Sequence, residues 1–227
     1  MPFFEELVEQ TEEERQHLLS APIIEKVFKG DITKDHYIAF LAQAYHHVKH
    51  TVPLMMAAGS RLPEDKEWVR VALAEYIEEE IGHQEWVLND IAACGFDKEF
   101  VRDSRPAVAT EVMVAYAYDM IQRVNPLGFF GMVHVLEGTS INLADKVAGA
   151  VKSTLGLPPN AFSYLISHGS LDQGHVAFFE NLMNKIESRK DQEAIILSCK
   201  VFYKLYGDIF RSLNSDHGIP KMAVNSL

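Results

Sequence analysis

The chain has 227 residues, 48% of them apolar, enough for one sizeable core. Its formal charge of -11 argues against binding to a phosphate backbone or an anionic membrane surface, so neither a nucleic acid nor a membrane is an expected partner. The two cysteines, Cys94 and Cys199, form no C-x-x-C pair. That excludes a zinc knuckle or thioredoxin motif and points to a reducing, cytoplasmic setting.

Residues 1–15 are acidic and carry no long apolar run, so no secretory signal is expected there. A first helical region is expected over 4–28, with a break near Pro22, closed by Lys29, Gly30 and Asp31. Thr33 is placed to cap a long helix over 34–62. Pro63 stops that helix and opens the next, which runs to Cys94 and ends at Gly95. A short segment over 97–104 leads to a helix over 107–124, punctuated by Asn125 and Pro126. Further helices are expected over 127–155, 161–186 and 191–214. Short alternating runs rich in Val, Ile and Thr, which mark strands, are missing. The expectation is all-α: a single bundle of seven to eight helices in one domain over 1–214, with a flexible tail over 215–227.

Three of these helices carry polar residues where core residues belong. After Asn160 the inward stripe reads Ala161, Leu165, His168, Asp172, His175, Phe179. Burying one acid and two imidazoles without partners costs several kcal/mol, a cost that a metal ion removes. A second stripe reads Val69, Leu73, Tyr76, Glu80, His83, Val87, and either Glu79 (i, i+4) or Glu80 (i, i+3) can chelate an ion together with His83. The third reads Phe130, His134, Glu137, Ile141, Ala144, Ala148. Three imidazoles and three carboxylates suit two divalent ions, iron or manganese. The competing reading is a structural cluster, with each histidine satisfied by a hydrogen bond and the Glu78–Glu80 run a solvated face.

Other histidines are less telling. His46 and His50 are i, i+4 and form a second possible chelate. His47 shares a stripe with Phe40, Ala44, Thr51 and Leu54, from which it would orient a carboxylate. For all three, an ordinary satisfied histidine is the plainer reading. His17, His36 and His217 read as surface residues. The pairs Phe129-Phe130 and Phe178-Phe179, like Met55 and Met56, read as core filling before substrate lining.

Glu-Glu-Ile-Gly-His at 79–83, Glu137 within Val-Leu-Glu-Gly, and His168-x-x-x-Asp172-x-x-His175 resemble the heme-oxygenase-like di-iron oxidases of the TenA/THI-4/PqqC superfamily. The likeness extends to the run 29–34 and to Gly207 with Phe210, and so covers nearly the whole chain. It implies a seven-helix fold, two iron ions, O2 activation and oxidation of a small organic substrate; homodimers are common for such folds. The ligands it implies are Glu79 or Glu80, with His83, Glu137, His168, Asp172 and His175. It names no catalytic group beyond them. A chlamydial member of similar layout carries a tyrosine where this chain has Ile24, and its modified lysine falls only near Lys146, so a self-sacrificing mechanism is not carried over. The rival functions within the superfamily are a TenA-type aminopyrimidine hydrolase, whose nucleophilic cysteine has no counterpart in the Glu137 helix, and a quinone- or heme-binding protein, with His17 the positional heme ligand.

Overall fold

The computed structural model describes residues 1–213, apart from the side chains of residue 142 and of residues 168–175. No strand occurs among the described residues. No helix among them is long and apolar enough to cross a membrane. The expected tail over 215–227 lies outside the described residues.

Among the described residues twelve α-helices replace the expected seven or eight, because several long periodic stretches break where the backbone requires it. The first region divides into α1 (Phe3–Gln10), α2 (Glu12–Leu19) and α3 (Pro22–Lys29). Pro22 opens α3 at a position where its missing N–H costs nothing. Gly30 closes α3 in the left-handed conformation, φ 71°. Thr33 caps α4 (Lys34–Val48): its hydroxyl accepts from the His36 N–H, and the His36 ring accepts the Thr33 N–H at 3.1 Å. The expected helix over 34–62 stops at Lys49 and restarts as α5 (Thr51–Arg61). Pro53 accounts for the break, since it cannot donate to the Lys49 carbonyl and its ring collides with that group in a continuous helix.

The expected helix from Pro63 to Cys94 is likewise two: α6 (Glu67–Glu80) and α7 (His83–Ala93). Gly82 makes the joint with φ 95°. Next come α8 (Lys98–Asp103), capped by Asp97, and α9 (Val108–Asp119), which ends in a π-helical turn over Met120–Val124. The long helices α10 (Phe129–Leu155), α11 (Ser163–Asn184) and α12 (Arg189–Ser212) complete the chain and pack on one another. Gly131 lets α10 approach α12 closely: a Cβ there would stand 2.5 Å from the Cys199 backbone N and 2.7 Å from Ser198 Oγ.

The N-terminus of α11 has no side-chain cap of its own. The fully buried Asp90 of α7 supplies it from 73 residues away. One carboxylate oxygen accepts the Ser163 N–H at 3.1 Å and the Ser163 hydroxyl; the other accepts the Tyr164 N–H at 2.9 Å. Burial pushes the Asp90 pKa up, and these hydrogen bonds pull against that rise. The contact ties α7 to the helix that carries His168, Asp172 and His175.

Two stability predictions follow from these joints. In a continuous helix, Gly82→Ala would stabilise by about 1 kcal/mol. At φ 95°, with nothing among the described residues within 4 Å of an added Cβ, it destabilises instead, by roughly 1–2 kcal/mol of backbone strain. The sign of the change in urea unfolding decides between the two geometries. Asp90→Ala leaves two buried N–H groups without an acceptor and costs roughly 2 kcal/mol, whereas Asp90→Asn, which keeps an acceptor, costs less. An alanine variant within about 0.5 kcal/mol of the parent in the same assay would show that the cap carries no weight.

Candidate metal centre

The inward stripe of α6 and α7 continues across their joint. Val69, Leu73, Tyr76, His83 and Val87 are all buried, and Glu80 is only 12% exposed in its side chain. Glu80 ends α6 and His83 begins α7. The left-handed turn at Gly82 between them sets His83 Nδ1 3.0 Å from Glu80 Oε2. The His83 ring also lies against Trp86, with centroids 3.9 Å apart. Glu80 and His83, spaced i, i+3, are therefore close to one another, and a kink and not an unbroken helix brings them together. Glu79 lies on the exposed side of α6.

Glu80 and Glu137 meet at a cavity of about 150 Å³. Its wall is otherwise mainly apolar, with Ile24 and Val27 from α3, Phe40 from α4, and Leu136, Leu143 and Val147 from α10. The lining follows α4 from His36 to Val48, roughly 18 Å at 1.5 Å per residue, so the space is elongated. His47 belongs to this wall. It is buried, and its ring stands edge-on to Tyr206 at 5.8 Å. Burial pushes the Tyr206 phenol well above its ordinary pKa and keeps it protonated. His36, expected at the surface, is half-buried and also contributes to the lining.

His46 and His50, the other possible chelate, face elsewhere. His46 Nε2 lies 3.0 Å from Ser104 Oγ, and His50 Nδ1 lies 3.1 Å from Tyr118 Oη. Burial and the nearby Lys49 push the His46 pKa down to about 4, so its ring is neutral at pH 7. His17 is exposed on α2.

Glu137 borders a second cavity as well, together with Phe4, Arg15, His134, Phe179 and Tyr203. The His168, Asp172 and His175 side chains lie outside the described residues; their backbone belongs to α11, which packs against both α10 and α7. The stripe that contains them is buried on either side, at Ala161 and Leu165 and at Phe179. Among the described residues, no group of three His, Cys, Asp or Glu converges on a point that would hold a metal ion. They bring Glu80, which lies against His83, and Glu137 to the wall of one mainly apolar cavity. Oxygen and nitrogen donors of this kind suit iron or manganese.

Periodicity passed over two residues of this region, His134 and Asp90, and left His47 between orienting a carboxylate and being an ordinary satisfied histidine; the structure places it in the cavity wall. His134 stood in the Glu137 stripe without a role of its own. Asp90 gave no local signal, because its partners are in another helix.

Comparison with known proteins agrees with this architecture. The family described as iron-containing redox enzyme matches residues 38–207. A Shewanella denitrificans domain of unknown function with a heme oxygenase-like fold is 26% identical, with a TM-score of 0.83, over 92% of this chain and 91% of that one. A TenA homologue from Pseudomonas syringae has a TM-score of 0.75 at 11% identity, over 93% and 92% of the two chains. Heme oxygenase from Leptospira interrogans has a TM-score of 0.67 at 18% identity, over 93% and 100%. The comparison with curated proteins gives no match. The match over three-quarters of the sequence and the shared heme oxygenase-like fold establish that this chain belongs to the family of iron-containing redox enzymes.

Proposed function

We propose that the chain is a metal-dependent, O2-activating oxidoreductase holding two iron ions, with manganese as the alternative metal, and that it acts on a small organic substrate whose bulk is apolar. The observation that carries this reading is the pair Glu80 and Glu137 in the wall of one otherwise mainly apolar cavity. A carboxylate placed in such a wall costs several kcal/mol unless a cation or hydrogen-bond donors compensate it. The proposed ligands are Glu80, His83 and Glu137, completed by His168, Asp172 and His175 of α11. Of the two glutamates left open by the sequence, Glu80 is favoured because it lines the cavity while Glu79 is exposed.

When bound, the iron supplies the electrons for reaction with O2. The chain's own contributions are positional. Glu80 orients the His83 ring through its Nδ1, which is how carboxylates commonly fix a ligating imidazole. His47 and Tyr206 form one polar side of the cavity, and the phenol, kept protonated, is a hydrogen-bond donor for a polar group on the substrate. The aliphatic wall from α3 and α10 takes the apolar part and excludes water from the reacting end.

The hydrolytic reading requires a reactive thiol in the cavity. Cys94 and Cys199 are buried, and neither belongs to the described lining of either cavity. Burial pushes the Cys94 thiol up to about 11 and the Cys199 thiol higher still, so both are poor nucleophiles at neutral pH. The likeness to the TenA homologue is one of fold.

Metal content after anaerobic loading with Fe(II) tests the proposal. The parent chain is expected to retain about two irons per chain. His83→Ala, Glu137→Ala and His168→Ala are each expected to lose at least one, while Glu79→Ala retains both. Full loading in Glu137→Ala and His168→Ala, or no iron in the parent, would overturn the assignment.

A further inference from the structure

Lys49, at the end of α4, is set apart from other lysines by what surrounds it. Lys66 holds Asp191 at 3.0 Å, Lys200 holds Glu14 at 3.2 Å and Lys204 holds Asp208 at 2.7 Å. Among the described residues no carboxylate pairs with Lys49. Its Nζ lies instead 3.3 Å from Nδ1 of His46, one turn back, and 5.1 Å from the centre of the Tyr45 ring. The side chain is half-buried. An ammonium group withdrawn from water without a counter-charge is held at a cost, and burial pushes the Lys49 pKa down.

Hydrogen bonds fix the state of the neighbouring imidazole. The Ser104 hydroxyl donates to the Val101 carbonyl at 2.8 Å, so its oxygen is left to accept from His46 Nε2 at 3.0 Å. The ring proton therefore resides on Nε2, and Nδ1 presents a lone pair to Lys49. His46 is fully buried, and its weak basicity comes from that burial first and then from the charges of Lys49 and His50. Loss of the Lys49 proton removes the second contribution, so the imidazole accepts a proton more readily as the amine releases one. The other polar neighbours add no negative charge. His50 is tied through Nδ1 to Tyr118 Oη at 3.1 Å, and burial pushes the Tyr45 and Tyr118 phenols above their ordinary pKa and keeps them protonated.

A half-buried amine beside a proton acceptor and without a counter-ion is a nucleophile. Reaction with a carbonyl carbon turns the ammonium into a neutral imine. At Lys49 that change removes an uncompensated charge, whereas at Lys204 it would sacrifice an ion pair with Asp208. We infer that Lys49 is a reactive amine, a modification site that forms an imine with small aldehydes. The ammonium gives one proton to His46 Nδ1 and so to solvent. The nitrogen then attacks the carbonyl carbon and a C–N bond forms. The C–O bond breaks, and the oxygen leaves as water with the two remaining nitrogen protons. No oxidant or reductant is consumed. Neither His46 nor Lys49 belongs to the described lining of the cavity that holds Glu80 and Glu137, so the site is separate from the proposed metal chemistry.

Reductive trapping on the metal-free full-length chain tests the inference. Substoichiometric propanal is added with cyanoborohydride at neutral pH, which reduces each imine to a stable secondary amine, and the alkylated lysines are identified by peptide mass spectrometry. Lys49 is expected to react about tenfold faster than Lys66, Lys200 or Lys204, the difference that one pKa unit makes to the fraction of free amine. His46→Glu sets a carboxylate where the imidazole stood and is expected to bring Lys49 down to the rate of the paired lysines. Equal rates at Lys49 and the paired lysines would overturn the inference, as would an undiminished Lys49 rate in His46→Glu. Should His46→Glu lose its helical circular-dichroism spectrum, the comparison of lysines within the parent chain decides alone. Because the trapping uses metal-free protein, its failure leaves the iron-loading experiment unaffected, and the reverse also holds.

Discussion

Glu80 and Glu137 put two acidic residues into the wall of a cavity whose other surfaces are chiefly aliphatic and aromatic. An ionised carboxylate tolerates such a place only when something compensates its charge. The His83 imidazole lies against Glu80, with Nδ1 3.0 Å from Oε2. Glu137 is one turn from His134 and belongs to the longest helix, whose core stripe is apolar at Phe130, Ala144 and Ala148. A helix of this length could have buried a leucine at position 137 at a gain of about 2 kcal/mol. Its forgoing that gain makes the position informative.

Three irregularities of the fold fall on elements that bear or adjoin this site. Gly82 accepts a backbone conformation that other residues rarely adopt, and the resulting turn brings Glu80 and His83 together at the ends of two helices. Pro53 divides α4 from α5 just beyond His47 and Val48, both of which line the cavity. Asp90 departs from the rule that acids stay at the surface in order to fix the start of α11. Departures of this kind, in otherwise regular helices, are expected where function competes with local preference.

Much of this was legible in the residues, for definite reasons. Long helices bury one face, so a polar residue on a buried stripe stands out at Glu80, His83 and Glu137 without any knowledge of tertiary contacts. The caps at Thr33 and Gly30 and the proline at the start of α3 are local chemistry and were equally readable. The joint at Gly82 was not, because the inward spacing from Tyr76 to Val87 survives the kink and a lone glycine is compatible with a continuous helix. The difference between Glu79 and Glu80 depends on where the helix ends, which periodicity locates poorly. Asp90 acts on residues 73 and 74 positions away, so no local pattern announces it. His47 and His134 have the spacing of core residues. What distinguishes them is empty space beside the ring, a property of several helices together.

Helix α10 thus acts as a partition. Along its length Met132, Val133, Leu136 and Leu143 face the elongated apolar cavity, while His134, Gly138 and Ile141 face the other. Glu137 belongs to both walls. The two sides differ in what they solvate: one offers aliphatic surface with polar groups confined to a few positions, and the other offers aromatic edges, a neutral imidazole and an internally compensated ion pair. One face of a helix cannot serve both environments. The 100° advance per residue lets neighbouring positions address different spaces while a single residue on their boundary reaches each. Glu137 is therefore the position on α10 at which two environments of unlike chemistry adjoin.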